Sequence, residues 1–182
     1  KETGRVFQVG TQQRSEMSQR FLTAVGIVRE GRIGAIQKVT CNIGSSPMGG
    51  PFTKSDPPAN LDWNQWLGQA PKVDYMKERA HYLFRWWYEY SGGKLTDWGA
   101  HHVDIAQWAL DQNGEGQGVL ELDPIVGEHQ IPFKNGMPTK DNYFNTSHNF
   151  HIKCKFPNEV EMNIVSKSDE GNGILFEGEK GN

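Results

Sequence analysis

The sequence predicts an α+β fold in which helices come first and antiparallel strands follow. Apolar residues recur at helical spacing over 17–28 and 96–110, whereas a period of two takes over in residues 150–164. This change of period along the chain is typical of α+β domains. The 182 residues are enough for one domain with a core of its own.

The first elements follow from local composition. Residues 5–10 have the character of a short buried strand, and residues 17–28 predict a helix that ends at Gly31. Residues 35–43 suit a second strand. Residues 44–60 are dense in Gly, Pro, Ser and Asp, which predicts a long loop.

The rest of the chain adds two helical segments and three strands. A helical turn over 62–68 precedes the helix at 96–110, whose polar first residues are suited to cap it. Residues 150–156 and 160–164 alternate apolar and polar side chains, which predicts a hairpin with one buried face. A last strand covers 173–178.

Composition excludes several classes of protein. With 19 Lys and Arg against 22 Asp and Glu, the chain lacks the basic excess of a nucleic-acid-binding module. No apolar run reaches the ~18 residues of a membrane span, and two cysteines are too few for a disulfide scaffold. The chain opens without a Met, so we expect it to be part of a longer protein. We expect a cytoplasmic location, with an export signal ahead of residue 1 left open.

The six tryptophans all fall between residues 63 and 108. Aromatic rings bury large areas and also stack on sugar rings, so this stretch predicts either the thick part of a core or the wall of a site. Trp63 and Trp66 are candidates for binding a sugar. Arg85 could meet a carboxylate or cover an aromatic face, and we favour the aromatic face.

Residues 91–104 hold the sharpest candidate for chemistry. Asp97 and His101 stand four apart on the predicted helix, so their side chains share one face. Asp104 extends the same stripe, whereas His102 lies off it. A carboxylate beside an imidazole fixes its tautomer and favours its protonated form, as a proton-transfer residue requires.

Other interpretations of this motif stay open. An Asp–His pair on a helix is often only a surface hydrogen bond. Asp97, His101 and His102 could instead serve a metal-dependent hydrolase. Asp97 and His101 have the i, i+4 spacing of a ligand pair, but that pair has no obvious third and fourth ligand at helical spacing, and we expect no metal. The chain could also be a carbohydrate-binding or oligomerisation module.

The pattern Gly93-x-x-x-Asp97-x-Gly99-x-His101-x-x-Asp104 resembles the signature of the Gfo/Idh/MocA oxidoreductases. Further stretches resemble the same family, the last two of them its NADH-dependent dehydrogenase-like subgroup: residues 4–14, 21–34, 61–68 and 85–90. Ser91 departs from the pattern, since many relatives carry a third Gly there.

The resemblance implies the architecture of a C-terminal substrate domain. Such domains have an open, mostly antiparallel sheet with helices packed on one face, like the C-terminal domain of glyceraldehyde-3-phosphate dehydrogenase. Residues 1–14 would be a remnant of the last nucleotide-domain strand with its connecting loop. Residues 15–182 would form the substrate-binding and oligomerisation domain, truncated at its C-terminus.

The resemblance also implies residue roles. His101 would accept the proton of a sugar or polyol hydroxyl, and Asp97 would position His101 or the substrate. Asp104, Trp63, Trp66, Arg85 and His102 would contribute to substrate binding, and Arg14 to cofactor binding.

The implied cofactor is NAD or NADP, bound in the full-length parent and not by this chain. The G-x-G-x-x-G turn and the Glu-Lys-Pro segment of the family are missing from residues 1–182, so we expect the isolated chain to be inactive. Residues 5–10 should then be disordered, re-paired or bound in a dimer. Homo-oligomers through the sheet are expected, with no nucleic-acid or membrane partner.

Overall fold

Three α-helices, four short 3-10 helices and seven strands make up the regular structure of residues 2–112 and 114–182, which a computed structural model describes. The α-helices are α1 (Arg20–Arg29), α2 (Trp63–Leu67) and α3 (Lys94–Ala109). The strands are β1 (Ile36–Asn42), β2 (Glu121–Glu128), β3 (Phe133–Lys134), β4 (Met137–Pro138), β5 (Asn149–Lys155), β6 (Glu161–Val165) and β7 (Gly173–Gly178).

Five of the strands form one open sheet in the order β2-β5-β6-β1-β7. Every neighbouring pair in this sheet is antiparallel except β1 and β6, which run parallel. Strands β3 and β4 form a separate two-stranded ribbon. The α+β fold class with an open, mostly antiparallel sheet is therefore confirmed.

The two long helices, α1 and α3, share one core with the sheet. Val25 of α1 and Ile105 of α3 are buried in the same cluster as Val39, Cys41 and Met162 of the strands. Alternation along the strands sends every second side chain away from this core, so the opposite face is polar. Ion pairs such as Lys153–Glu161 lie on the strands of that polar face.

A second hydrophobic cluster, separate from the core of the sheet, contains two of the six tryptophans. Trp86 and Trp87 are buried there with Met76 and Phe144. These two tryptophans belong to the core, which is one of the two interpretations that the sequence leaves open.

The predicted helices, the hairpin and the strands at 35–43 and 173–178 are confirmed to within a few residues. Helix α1 begins at Arg20, three positions later than the apolar spacing indicates. The backbone at Met17, Ser18 and Gln19 has φ angles of 56°, 55° and 57°, which lie outside the right-handed helical region.

The predicted strand at residues 5–10 is wrong, because the segment pairs with no strand of the part of the chain described above. Val6 and Phe7 are 95% and 89% exposed instead of buried. A strand needs a hydrogen-bonded neighbour, and local composition cannot supply one.

Strand β2 is absent from the sequence prediction. It contains Pro124 and Gly127, two residues that ordinarily argue against a strand. At the edge of a sheet a proline is tolerated, because one side of the strand makes no ladder hydrogen bonds, and the pairing of β2 with β5 shifts register at this proline.

Both cysteines point into the core and carry free thiols. Burial raises the pKa of the Cys41 thiol to about 12 and that of Cys154 to about 11, so both stay protonated at neutral pH. Within the described chain, no helix has the length and apolar character needed to cross a membrane.

Helix α3 starts at a tight turn whose conformation requires glycine. Gly93 has φ +67°, and a Cβ there would lie 2.7 Å from Thr146 and 2.8 Å from the Ser46 hydroxyl. The first helical amide, at Lys94, donates to Ser46 Oγ at 2.9 Å. The cap therefore comes from a remote loop, and the prediction that the polar first residues cap this helix is wrong.

Replacing Gly93 should therefore destabilise the domain. Gly93→Ala adds both a left-handed strain and a steric clash, and we expect the free energy of unfolding to fall by roughly 1–3 kcal/mol. Gly26→Ala in α1 is the matched control, since a Cβ there meets nothing within 4 Å. That control should raise the free energy of unfolding by up to about 1 kcal/mol. Urea unfolding of both variants tests this, and equal effects would contradict the account of the turn.

Candidate functional site

Helix α3 carries the polar side chains of the motif, and the structure gives each of them different surroundings. Asp97 lies in the first turn of α3, and its carboxylate accepts a hydrogen bond from Arg85 Nη1 at 2.5 Å. No hydrogen bond or ion pair joins Asp97 to His101 within residues 2–112 and 114–182. The carboxylate that was expected to orient the imidazole is thus neutralised by a guanidinium.

Arg85 meets both of the partners considered for it from the sequence. Its guanidinium lies 3.7 Å from the ring centroid of Tyr82 and 4.6 Å from that of Trp86, in addition to its ion pair with Asp97. The Arg85 side chain thereby joins its own segment, 81–86, to α3. Its charge is already paired, so a substrate carboxylate would have to compete with Asp97.

Asp104 holds the segment that precedes α1. Its two carboxylate oxygens accept hydrogen bonds from Nε and Nη2 of Arg14, both at 2.7 Å. The Arg14 guanidinium also lies 4.9 Å from the ring centroid of Trp108. A bidentate pair with a stacked arginine fixes direction as well as distance. The short helical turn Gln12–Arg14 is therefore pinned to α3.

His102 is buried within the fold. Its side chain is 2% exposed and contacts the rings of Phe21 and Trp98. Nδ1 accepts a hydrogen bond from the Gln13 amide at 3.2 Å, and Nε2–H donates to Asn172 Oδ1 at 3.2 Å. Burial lowers the pKa of this imidazole, and the neighbouring His101 and Lys94 lower it further. His102 is thus held neutral with both nitrogens engaged.

Of the four residues Asp97, His101, His102 and Asp104, His101 is the one that lines a cavity. It lines a cavity of about 360 Å³ together with Gln12, Gln13, Glu16, Met17 and Trp98. In the described part of the chain, no side chain forms a hydrogen bond with its ring. Its nitrogens are therefore free to exchange a proton with a bound molecule.

The two tryptophans predicted to bind sugar lie elsewhere. Trp63 and Trp66 stack on each other with centroids 4.8 Å apart, and their edges meet Tyr75 and Tyr90. The Trp63 indole N–H donates to the carbonyl of Val73 at 2.8 Å. Neither ring lines the His101 cavity, although Trp63 borders a separate cavity of about 520 Å³.

Two groups of residues in this region escape the sequence analysis. Gln12, Gln13 and Glu16 form one wall of the cavity, and Asn172 secures His102 from a distant loop. The polar segment around Gln13 has no hydrophobic periodicity. Its position next to the cavity depends on contacts with α3, about 90 positions away in the sequence. Trp98 lies inside the motif, but its position at the cavity becomes visible only in the structure, where the ring is partly exposed.

The residues proposed for a metal-dependent hydrolase do not converge. Asp97 is paired with Arg85, and His102 is engaged by two amides in the core. Across residues 2–112 and 114–182, no three His, Cys, Asp or Glu side chains gather as metal ligands would. The geometry therefore gives this alternative no support.

Comparison with known proteins gives a family match to part of the chain and solved structures with the same fold. Residues 50–130 match the family described as "Oxidoreductase family, C-terminal alpha/beta domain". No curated protein sequence matches the chain.

Two solved structures share the fold at 14% sequence identity. One is an aldose-aldose oxidoreductase from Caulobacter crescentus complexed with glycerol, with a TM-score of 0.57 over 97% of this chain. The other is a super-repressor mutant of Gal80p from Saccharomyces cerevisiae, with a TM-score of 0.54 over 98% of this chain. The chain spans 40% of the length of each of these proteins.

The lowered pKa of His102 predicts a pH-dependent stability. An imidazole in the unfolded chain titrates near pH 6.5, whereas the buried ring resists protonation. Below pH about 6.5 the unfolded state binds the proton first, so the free energy of unfolding should fall until the pH passes the lowered pKa. Above pH about 6.5 this contribution is fully present.

Urea unfolding at a series of pH values measures this effect. The wild-type chain should lose more stability than His102→Gln between pH about 6.5 and the lowered pKa. His129, whose pKa is also lowered by burial, is common to both proteins and cancels in the comparison. Identical pH profiles would show that His102 does not resist protonation.

The Arg14–Asp104 pair should be energetically coupled. We expect a double-mutant cycle of Arg14→Gln and Asp104→Asn to give a coupling of roughly 1 kcal/mol, because the pair is bidentate and half-buried. The coupling should shrink at high salt. The exposed pair Lys155–Glu159 is the matched control and should show no measurable coupling. A coupling no larger than that of the control would contradict the assignment.

Proposed function

Because residues 50–130 match the C-terminal α/β domain of an oxidoreductase family, we propose that the chain belongs to the Gfo/Idh/MocA oxidoreductases and is the substrate-binding part of an NAD(P)-dependent member. Its substrate is a sugar or polyol, and the reacting group is a hydroxyl. His101 accepts the hydroxyl proton. The aldose-aldose oxidoreductase that shares the fold, complexed with glycerol, supports this class of substrate.

The isolation of His101 is the observation that carries the proposal. Asp97, His102 and Asp104 are each engaged by other side chains. His101 faces a cavity of about 360 Å³, large enough for a small polar molecule. A general base must reach the proton that it removes, and His101 is the motif residue whose imidazole is available for this.

The walls of the cavity suit a polyhydroxylated molecule. The ring of Trp98 offers an apolar surface for the C–H face of a sugar. Gln12 and Glu16 offer amide and carboxylate oxygens that accept hydrogen bonds from hydroxyl groups. In this proposal Asp97 keeps Arg85 and the segment 81–86 against α3, one helical turn before His101.

The dinucleotide itself does not fit the residues described. Binding of a dinucleotide requires a glycine-rich turn between a parallel strand and a helix. The one parallel pair in the described chain, β1 and β6, contains no such turn. We therefore assign the nicotinamide cofactor to another part of the parent protein. Arg14 stays a predicted contact to that part, with Nη1 of its guanidinium not engaged by Asp104.

A binding module without catalysis is the second candidate. The same fold occurs in a mutant of the repressor Gal80p, so the fold alone does not require catalysis. The stacked pair Trp63–Trp66 beside a cavity of about 520 Å³ is the observation that favours carbohydrate binding there. The two candidates differ in which cavity a sugar occupies.

Assembly through the sheet belongs to the same proposal. The polar face of the five-stranded sheet carries ordered pairs between neighbouring strands, Lys38–Glu177 and His151–Asn163 among them. A second copy packed on this face would bury surface that α1 and α3 leave uncovered.

Substitution of His101 tests the catalytic assignment in the full-length parent. His101→Ala should lower kcat by roughly 10²–10⁴-fold with a smaller change in KM, since a general base acts in the transition state. His81→Ala is the matched control, because His81 is exposed and lines no part of the cavity. Reduction of NAD⁺ or NADP⁺ with a panel of sugars and polyols is the readout. Equal kcat values for the two variants would exclude His101 as the base.

A further inference from the structure

The buried histidine of the motif joins two segments that lie far apart in the sequence. Through Nδ1, His102 contacts Gln13, which stands 89 positions earlier. Through Nε2 it contacts Asn172, which stands 70 positions later. A side chain that is 2% exposed cannot itself meet a substrate in the cavity. Its contacts instead connect three parts of the fold.

The Gln13 side of this connection ends at the His101 cavity. Gln13 lies in the turn Gln12–Arg14, and both Gln12 and Glu16 line the cavity beside His101. The turn is short, with backbone hydrogen bonds from the amides of Arg14, Ser15 and Glu16. Such a turn is only marginally stable alone, so its position depends on side-chain anchors.

The turn has two anchors on α3. One is the ion pair of Arg14 with Asp104, and the other is the hydrogen bond of Gln13 with His102. The ion pair is half-buried, whereas the Gln13–His102 hydrogen bond is buried and fixes a residue of the cavity wall. Oε1 of Gln13 is buried without a hydrogen-bond partner in the described chain, so His102 supplies the polar contact that holds this amide.

The Asn172 side of the connection ends at a loop beside β1. The carbonyl of Gly171 in this loop accepts a hydrogen bond from the Asn42 side chain. The imidazole is therefore held from both sides, and its nitrogens cannot turn away from Gln13 without losing a buried hydrogen bond.

We infer that His102 is a positioning residue: it holds Gln13, and with it the wall formed by Gln12, Gln13 and Glu16, in the place that receives the substrate of His101. This inference rests on the proposed function for its meaning in catalysis. The physical connection between His102 and the wall can be measured without any catalysis.

Three variants of His102 separate the two contacts. Asn places an oxygen near the position of Nδ1 and keeps an acceptor for Gln13, whereas Gln reaches toward Asn172 and leaves Gln13 without one. Leu removes both contacts at similar volume. Ile105→Val is the matched control, because Ile105 is buried on the same helix and has no polar atoms.

Hydrogen exchange of the amides of residues 14–16 is the first readout. Relative to wild type, exchange should rise roughly tenfold in His102→Leu and His102→Gln, and it should stay near wild type in His102→Asn and Ile105→Val. Wild-type protection in both His102→Leu and His102→Gln would overturn the inference. If these variants do not fold, ¹⁵N NMR of the wild-type ring decides: we expect a neutral Nε2–H imidazole at pH 7, and an Nδ1–H ring would overturn it.

Kinetics of the full-length parent is the second readout. His102→Leu should raise KM roughly tenfold and leave kcat within about threefold, the opposite of the split expected for His101→Ala. A parent that oxidises no sugar or polyol would contradict the proposed function, while hydrogen exchange would still decide the role of His102. A loss in kcat with unchanged KM would overturn the positioning role.

Discussion

Helix α3 is under one constraint on which the rest of the site depends. It buries one side against the sheet, yet its sequence carries Asp97, His101, His102 and Asp104 within two turns. A polar group that is removed from water needs a hydrogen-bond or ion-pair partner. Asp97, His102 and Asp104 each have such a partner in another segment of the chain. The partners are parts of other segments, so satisfying the helix also arranges its surroundings. His101 is left facing a cavity between α3 and residues 12–17.

The elements with a regular hydrophobic period are the ones that the sequence predicts well. The core faces of α3, β1 and the β5–β6 hairpin repeat every 3.6 or 2 residues, and their bounds differ from the prediction by a few positions. Strand β2 escapes because its existence depends on an edge position, which lets it keep Pro124. Residues 5–10 show the converse case, since apolar alternation gives a strand only where a neighbour supplies hydrogen bonds.

The candidate site divides in the same way. Helical spacing places Asp97 and His101 on one face. It does not show which of the two side chains will be paired with a residue from another segment. Arg85 neutralises Asp97, and that contact depends on how the segment 81–86 packs on α3. Likewise, the tryptophans between residues 63 and 108 lie in different environments. Trp87 is in the core, Trp98 borders the cavity and Trp63 stacks on Trp66. These differences in environment result from tertiary contacts, so a local sequence pattern does not predict them.

In our proposal His101 is the reactive side chain of the motif, and Asp97, His102 and Asp104 hold the surrounding segments in place. A crystal structure of the full-length parent with a bound polyol tests this claim most directly. We predict a substrate hydroxyl at about 2.6–3.2 Å from a ring nitrogen of His101, with the Arg85–Asp97 and Arg14–Asp104 pairs intact. A polyol seated on Trp63 and Trp66, with His101 making no contact to it, would contradict the account.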